Sequence, residues 1–259
     1  MHDFTMALVA LFAALTIQIG TNLANDYFDY LKGADTHERI GPIRVTQAGL
    51  IAPSLVRNVM ILVFALSALA SLVLVMRAGW PILIIGIISI LSGIFYTAGP
   101  RPLGYMGLGE LFVLIFFGPV AVGGTYYVQA LQIHWAVVAA GLAPGFLSMA
   151  ILAVNNLRDI DTDRRVKKNT LAVRFGRSFA LNEYLFAIIA AGLTPVLVYV
   201  LTKEQPWSLL SVIVLFWAIP VVKTVFTKQD GPSLNAALAS TGRLLFMYSA
   251  LFATGWAVR

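Results

Sequence analysis

The longest interval without a charged residue runs for 47 positions, Leu111–Leu157, and it limits the fold more than any other feature of the sequence. A helix needs about 20 apolar residues to cross the hydrocarbon core of a bilayer, so this interval predicts two membrane helices with a break at Gln132–His134. Six more uncharged intervals fit one membrane helix each: Phe4–Asn25, Asn58–Met76, Ala78–Pro100, Tyr184–Thr202, Gln205–Val222 and Leu244–Val258. The sequence therefore predicts an all-α, polytopic membrane helix bundle with eight transmembrane helices.

Composition supports a membrane protein. Hydrophobic residues make up 59% of the 259 positions and charged residues only 12%, with a mean hydropathy of +0.84. These values exclude an ordinary soluble domain. The chain has no Cys, which excludes disulfides and thiol chemistry. Because no low-complexity segment or flexible linker divides the sequence, we expect residues 1–259 to form a single domain.

The basic residues are distributed unevenly between the two sides of the predicted bundle. Alternating the loops puts 15 Lys and Arg residues on one side and 3 on the other, namely Arg77, Lys203 and Arg259. Cytoplasmic loops carry the excess of Lys and Arg, so we predict a multi-pass protein of the cell inner (plasma) membrane whose basic side is cytoplasmic. Anionic membrane lipids or an anionic substrate can balance the net charge of +6, whereas short basic loops without interleaved aromatic residues argue against nucleic acid as a partner. The same orientation leaves the N-terminus outside, so we expect a preceding helix that this sequence lacks.

A cluster of acidic and amide residues, NNLRDIDTDRR, ends the longest apolar interval on the predicted cytoplasmic side. Asn155, Asp159 and Asp163 recur every four residues in it, which places them on one face if the segment is helical.

A second cluster, NLANDYFDY, ends the first apolar interval. Asn22 and Asp26 are four residues apart, as are Asn25 and Asp29, which gives a second polar face on a helix end. A single acid there would read as a solvated helix cap, but two such clusters on one side favour a functional site. With no paired His or Cys, the oxygen ligands suit a hard cation, and we predict Mg²⁺ between the clusters. The six candidate ligands are Asn25, Asp26, Asp29, Asn155, Asp159 and Asp163.

Basic residues surround both clusters. Mg²⁺ prefers one or two carboxylates together with water and phosphate oxygens, and Lys and Arg can supply further contacts to a phosphate. A diphosphate at the membrane surface, beside an apolar interior, indicates a lipid diphosphate whose tail lies between helices. Some of these basic residues are expected only to set the topology or to contact lipid headgroups. The candidates are Lys32, Arg39, Arg44, Arg101, Arg158, Arg164, Lys167, Lys168 and Arg174.

A loop rich in Gly and Pro, FYTAGPRPLGYMGLGEL, covers residues 95–111. Irregular backbone at membrane depth is tolerated where it lines a cavity, so Tyr96, Thr97, Arg101 and Glu110 are candidates to meet the substrate; an ordinary tight turn is the alternative. Ionisation of an allylic diphosphate leaves a carbocation that aromatic faces can stabilise. The aromatic candidates are Tyr27, Phe28, Phe95 and Tyr96.

Four segments carry a resemblance to known proteins: NLANDYFDYLKGAD, RIGPIRVTQAG, YTAGPRPLGYMGLGEL and NNLRDIDTDRRVKKNTLAVRFG. In their order and spacing the chain resembles the UbiA superfamily of intramembrane aromatic prenyltransferases, specifically its 1,4-dihydroxy-2-naphthoate branch in menaquinone synthesis. The resemblance implies a nine-helix α-fold whose central cavity is capped by two Asp-rich loops and open laterally to lipid. It also implies Mg²⁺-dependent transfer of a polyprenyl group from polyprenyl diphosphate to 1,4-dihydroxy-2-naphthoate, with loss of CO₂ and diphosphate, to give demethylmenaquinone.

The resemblance further implies roles for individual residues of this sequence. Metal and diphosphate binding would fall to Asn25, Asp29, Asn155, Asp159 and Asp163, with Asp26 and Asp35 as associates. Diphosphate contacts would come from Lys32, Arg101, Arg158 and Lys168. Tyr96 and Thr97 would lie near the prenyl or the aromatic substrate.

The sequence departs from the family pattern in two places. The first motif of the family corresponds here to the cluster NLANDYFDY, and the second motif to NNLRDIDTDRR. In its longer form the first motif can have a third Asp four residues after Asp29. This chain has Gly33 there, and Asp35 follows two positions further on. The family also has a helix before the one that bears the first motif, so eight predicted helices stand against nine.

The residues alone indicate a site for a metal ion, a diphosphate and a lipid, and they leave other functions open. The acceptor rests on the resemblance, and 4-hydroxybenzoate, homogentisate or haem are alternative acceptors. An ion-coupled transporter is an alternative of another class, but it predicts acids deeper within several helices, whereas the acids here lie at or near the span ends. The D-G-x-x-A-R signature of membrane phosphatidyltransferases is not in the sequence.

Overall fold

The computed structural model describes residues 3–34, 41 and 43–258. Within these residues the regular secondary structure is entirely helical, which confirms the all-α prediction. The long helices are α1 (Phe4–Leu31), α2 (Pro53–Ala78), α3 (Trp80–Phe95), α4 (Gly109–Ala130) and α5 (Trp135–Arg158). Two short helices follow, α6 (Ile160–Arg165) and α7 (Leu171–Phe175), and then α8 (Arg177–Thr202), α9 (Pro206–Thr227) and α10 (Gly231–Ala257).

The predicted count of eight spanning helices differs slightly from the structure. In the described part of the chain, seven helices are long and apolar enough to cross a membrane. The eighth apolar helix, α3, has only 16 residues. It is short because Gly79, with φ at 76°, ends α2 just before it, and the Gly- and Pro-rich loop begins directly after Phe95.

The predicted break in the longest uncharged interval is confirmed. Helix α4 ends at Ala130 and α5 begins at Trp135, with a left-handed residue, Leu131 (φ 54°), between them. The last interval predicted too short a helix, because Arg243 interrupts the uncharged run but lies within α10, where its side chain is exposed.

The chain divides into two compact units. Unit 1 comprises residues 1–109, 124–133 and 162–169, and unit 2 comprises residues 110–123, 134–161 and 170–259. The expectation of a single domain therefore stays a prediction.

In unit 1, small residues bring α2 close to the C-terminal half of α1. Ala24 is fully buried against Met60 and Phe64. A Cβ atom on Gly20 would lie 2.8 Å from the Phe64 ring, so only glycine lets that ring pack directly on the α1 backbone. These contacts fix the part of α1 that carries Asn25 and Asp29.

In unit 2, the largest apolar cluster joins α5, α8, α9 and α10. Its fully buried members include Leu147, Tyr184, Val225 and Tyr248. Many smaller members are alanines, which lets helices approach closely in a membrane, where van der Waals packing replaces the hydrophobic effect.

Helices α4 and α5 meet backbone to backbone within unit 2. Residues Phe116–Val120 of α4 form a π-helical turn, and Gly118 within it has φ −109° and ψ −111°. A Cβ atom on Gly118 would lie 2.6 Å from the carbonyl oxygen of Gly141, and one on Gly145 would overlap the carbonyl oxygen of Leu114. Glycine at these positions is therefore required by the close approach of two backbones.

We expect Gly145→Ala to destabilise the protein by about 1–3 kcal/mol, because the added methyl group has no space and the neighbouring backbone must move. The free energy of unfolding in mixed detergent micelles, measured by titration with SDS, checks this prediction. Gly242→Ala on α10 is the matched control, since nothing lies within 4 Å of a Cβ atom there. That control is expected to be neutral or to stabilise the helix by up to about 1 kcal/mol. An equal effect of both substitutions would contradict the close-contact explanation.

Candidate active site

The last turns of α1 and the loop after α3 form the first part of the site, within unit 1. The Thr97 hydroxyl donates a hydrogen bond of 3.0 Å to the Asn25 side-chain oxygen. The Lys32 ammonium donates to the Thr97 carbonyl oxygen. Thr97 is buried. Through these two hydrogen bonds it connects the Asn25 amide with the Lys32 ammonium group, both of which belong to the segment NLANDYFDYLKGAD.

Tyr105 brings residues of both motifs together in unit 1. Its hydroxyl donates a hydrogen bond of 2.8 Å to Asp29 Oδ1, and the Lys32 ammonium lies 4.8 Å from its ring centroid. The Lys168 ammonium lies 5.8 Å from the same centroid and 3.5 Å from Asp163 Oδ1. Two carboxylates and two ammonium groups, predicted from separate stretches of sequence, therefore surround one tyrosine.

Lys32 has an altered tendency to ionise. Desolvation lowers the pKa of Lys32, and the nearby Asp29 carboxylate opposes this shift by favouring the charged ammonium. Desolvation is the larger of the two effects, so the pKa of Lys32 lies below its ordinary value.

The helical face predicted for Asn155, Asp159 and Asp163 is interrupted, which corrects the expectation of one continuous helix. Helix α5 ends at Arg158, and Asp159 is its C-cap, with φ −98° and ψ 9°. Asp163 lies on the separate short helix α6. At this interruption the backbone of Asp159 leaves the helical conformation, and its carboxylate accepts hydrogen bonds from the preceding Arg158 side chain.

Arg158 organises the end of α5 within unit 2. Its guanidinium donates two hydrogen bonds to the Asp159 carboxylate, of 2.7 and 2.6 Å, in a bidentate arrangement. It also donates to the side-chain oxygens of Asn155, at 2.8 Å, and Asn235, at 2.6 Å. Its side chain is only 1% exposed. The buried guanidinium therefore has side-chain oxygens of three residues as its hydrogen-bond acceptors. Direct contact of Arg158 with a diphosphate stays a prediction.

A buried polar cluster lies beside this network in unit 2. The Asn156 amide donates a hydrogen bond of 2.7 Å to Glu110 Oε1, and both residues are buried. Glu183 on α8 is close enough to Glu110 for their charges to interact. Glu110, a sequence candidate for substrate contact, thus holds the helix turn that contains Asn155 and Asn156.

The remaining predicted residues occupy different settings. Asp26 is buried on α1, and its Oδ1 atom has no hydrogen-bond partner among the described residues. The Tyr96 ring packs on Gly104, where a Cβ atom would lie 2.9 Å from Tyr96 Cε1. Arg101 is exposed, and the structure gives it no ion pair within the described ranges. Asp35 and Arg39 lie outside the described residues.

The donor set fits Mg²⁺ bound together with a substrate phosphate. Among the described residues no group of three or more His, Cys, Asp or Glu side chains is placed to hold a metal ion by itself. Mg²⁺ seldom uses such an all-protein cage and is usually bound by one or two carboxylates plus substrate phosphates and water. The buried, unpartnered Asp26 Oδ1 and the Asp29 carboxylate are oxygen donors of the required kind.

Sequence reasoning missed three residues of this arrangement. Tyr105 lies inside a segment that the sequence singled out, but its neighbours there gave no reason to prefer it. Asn235 and Glu183 lie on helices far from either motif in the sequence, and only the folded chain brings them to α5 and α4.

Comparisons with known proteins show the family of this chain. The UbiA prenyltransferase family matches residues 1–250. A 1,4-dihydroxy-2-naphthoate octaprenyltransferase of Mycobacterium tuberculosis is 40% identical over 243 residues, which are 94% of this chain and 82% of that protein. A protein of the same name from Escherichia coli is 35% identical over 259 residues, covering 98% of this chain and 84% of that protein.

A solved structure resembles this fold at low sequence identity. A UbiA homolog from Archaeoglobus fulgidus bound to GPP and Mg²⁺ superposes with a TM-score of 0.69 and 15% identity, over 99% of this chain and 89% of that one. This likeness concerns the fold alone. The family match and the relatives above 30% identity span nearly the whole sequence, so the chain belongs to the UbiA prenyltransferase family.

Proposed function

We propose that this protein transfers a polyprenyl group from polyprenyl diphosphate to 1,4-dihydroxy-2-naphthoate in an Mg²⁺-dependent reaction. CO₂ and diphosphate are released, and the product is demethylmenaquinol, the quinol form of demethylmenaquinone, a precursor in menaquinone biosynthesis.

The grouping of charges around Tyr105 is the observation that carries this proposal. Asp29 and Asp163 supply negative charge, and Lys32 and Lys168 supply positive charge, within reach of one ring. A metal–diphosphate needs both: carboxylates for the cation and ammonium groups for phosphate oxygens.

The metal would be held by Asp29, Asp26 and Asn25 on α1 and by Asp163 of the second motif, all in unit 1. Asp159, whose two carboxylate oxygens accept from Arg158, stays a sequence prediction for this role. When bound, Mg²⁺ supplies neutralisation of the negative charge that develops on the departing diphosphate. Lys32 and Lys168 would bind the diphosphate oxygens and hold the leaving group in place.

The transfer itself requires no redox partner, because its product is a quinol; demethylmenaquinone arises when that quinol loses two electrons and two protons in a separate oxidation. The allylic C–O bond breaks, and its electron pair leaves with the diphosphate. The electron-rich naphthoate ring then forms a C–C bond to C1 of the prenyl group, and the carboxyl group departs as CO₂ and leaves its bonding electrons on the ring. The task of the chain is to hold both substrates, and to keep water away from the allylic cation.

The acceptor is proposed from the relatives. The Mycobacterium tuberculosis and Escherichia coli proteins are both named as 1,4-dihydroxy-2-naphthoate octaprenyltransferases, and the alignments cover most of each protein. Solved UbiA homologs bound to DMAPP or GPP with Mg²⁺ support the donor class and the metal.

The active site is proposed to face the cytoplasm at the inner (plasma) membrane. The 15-to-3 distribution of Lys and Arg supports this side, because cytoplasmic loops retain basic residues. Lys32 and Lys168 belong to the basic side, so both clusters would meet a diphosphate delivered from the cytoplasmic leaflet.

The test is prenylation by membranes that contain this chain, with 1,4-dihydroxy-2-naphthoate and a polyprenyl diphosphate, in Mg²⁺ or in excess EDTA. We expect a prenylated naphthoquinol, detected as the naphthoquinone after oxidation in air, in Mg²⁺ and at least about 100-fold less in EDTA, since a metal ion contributes several kcal/mol to stabilising the charge on the departing diphosphate. Membranes without the chain are the control. Preferred prenylation of 4-hydroxybenzoate or homogentisate would refute the acceptor, and equal rates in EDTA would refute the metal.

A further inference from the structure

We propose that Tyr105 is a positioning residue, which holds Asp29 through its hydroxyl and holds Lys32 and Lys168 through its ring. The cation ligand and the two diphosphate-binding ammonium groups are thereby assembled before the substrate binds. This inference rests on the proposed metal–diphosphate site. It gives a role in that site to a residue that lies outside both motifs.

The hydroxyl of Tyr105 fixes the Asp29 carboxylate. The hydrogen bond of 2.8 Å uses Oδ1, one of the two carboxylate oxygens. A hydrogen bond to a charged acceptor is stronger than one between neutral groups, and it restricts the side-chain rotation that a free Asp on a helix end would have. Asp29 therefore presents its charge in one orientation.

The ring of Tyr105 holds two ammonium groups that would otherwise repel each other. Lys32 and Lys168 lie 4.8 and 5.8 Å from the ring centroid, within the range of a cation–π interaction. Each lysine also has a second contact: Lys32 with the Thr97 carbonyl, and Lys168 with Asp163. The ring is the contact that they share.

The backbone holds Tyr105 itself in place without help from its side chain. The Asn169 amide donates a hydrogen bond of 3.1 Å to the Tyr105 carbonyl oxygen, and the Tyr105 amide donates one of 3.0 Å to that of Pro102. Residues Leu103–Met106 form a 3-10 turn that Gly107 ends with φ at 68°. Substitution of the side chain should therefore leave the course of the loop intact, which allows the two functions of the side chain to be separated.

Two substitutions separate the hydroxyl from the ring. Tyr105→Phe keeps the ring and removes the hydrogen bond to Asp29, whereas Tyr105→Leu removes both. The purified protein is titrated with Mg²⁺ in the presence of farnesyl thiodiphosphate, and its melting temperature is measured. Tyr105→Phe is expected to raise the Mg²⁺ concentration that gives half of the maximal stabilisation by about tenfold, because one hydrogen bond to a charged group is lost. Its Kd for this unreactive analogue at saturating Mg²⁺ should stay within about twofold of the wild type.

Tyr105→Leu is expected to show the same Mg²⁺ effect and, in addition, a Kd for the analogue raised about threefold to tenfold, since two cation–π contacts are lost. The Kd is measured by calorimetry at saturating Mg²⁺. If Tyr105→Leu cannot be purified, Tyr105→Met replaces it, because the flexible Met side chain fills the space of the ring.

The matched controls are Tyr199→Phe and Tyr199→Leu. Tyr199 on α8 also has a lysine, Lys203, 5.8 Å from its ring centroid, but it lies in unit 2 and takes no part in the site. Both controls are expected to match the wild type in both measurements.

The outcomes distinguish this inference from the proposed function. Tyr105 variants that bind Mg²⁺ and the analogue like the wild type would overturn the positioning role, even if the wild type prenylates the naphthoate. A reduced melting temperature with both binding constants unchanged would also overturn it, because it would show a structural role only. If the variants show the expected binding split while the wild type forms no prenylated naphthoquinone, the positioning role stands and the acceptor assignment fails.

Discussion

Asp29→Ala is expected to reduce prenyl transfer by at least about 1,000-fold in kcat/KM, since a lost metal carboxylate removes several kcal/mol of transition-state stabilisation. The same change takes away the acceptor of the Tyr105 hydroxyl and the negative charge next to Lys32. Steady-state kinetics at saturating 1,4-dihydroxy-2-naphthoate and varied polyprenyl diphosphate measure the loss.

A second substitution at this position separates charge from hydrogen bonding. Asp29→Asn keeps an oxygen that can accept from Tyr105 but has no negative charge, so we expect a loss close to that of Asp29→Ala if the carboxylate binds a cation. Asp3→Ala is the control on the same helix: Asp3 caps α1, and its side chain accepts from the Met6 amide at 3.2 Å. That control is expected to cost about 1 kcal/mol of stability and little activity. Wild-type rates in Asp29→Asn would contradict the cation role.

Arg158→Met is expected to destabilise unit 2 strongly, by about 3–5 kcal/mol, because it removes the bidentate guanidinium contact of the buried Asp159 carboxylate. It also takes hydrogen-bond donors from Asn155 and Asn235. The free energy of unfolding in mixed micelles measures this change. Arg158→Lys keeps the charge but cannot make the bidentate contact, so an intermediate loss is expected.

The cause of this loss can be tested directly. The double variant Arg158→Met with Asp159→Leu also removes the carboxylate that lost its guanidinium contact, and it should recover a large part of the stability while remaining inactive. Arg177→Met is the control, since Arg177 makes an exposed hydrogen bond to the Lys228 carbonyl and should change stability by less than about 0.5 kcal/mol. If Arg158→Met proves as mild as this control, the buried network does not stabilise the end of α5.

The helices were largely predictable because a bilayer forces a simple pattern on the sequence. A spanning segment must satisfy its backbone internally and avoid charge, so intervals between charged residues marked most helices within a few residues. The exception, α10, begins at Gly231 rather than Leu244. Arg243 is tolerated inside that helix because its side chain is exposed, a property that sequence alone does not give.

The site was predictable in its residue types but not in its contacts. Acids and amides four residues apart indicated which side chains share a helix end, and lysines nearby indicated an anionic ligand. Arg158 shows the limit of this reasoning: its charge fits a phosphate as well as a carboxylate, and only the structure places it on Asp159. Tyr105 shows another limit, because its neighbours depend on the path of an irregular loop.

The first motif lies in the last turns of α1, and Asn155 and Asp159 of the second motif lie at the C-terminal end of α5. The peptide dipoles of a helix add up to about half a negative charge at that end, whereas proteins that bind phosphate through backbone amides use the opposite end. Each helix terminus therefore disfavours a bare diphosphate and favours a cation. The affinity for the diphosphate must come from the metal and the lysines, so once the metal has left, only the lysines still retain the diphosphate.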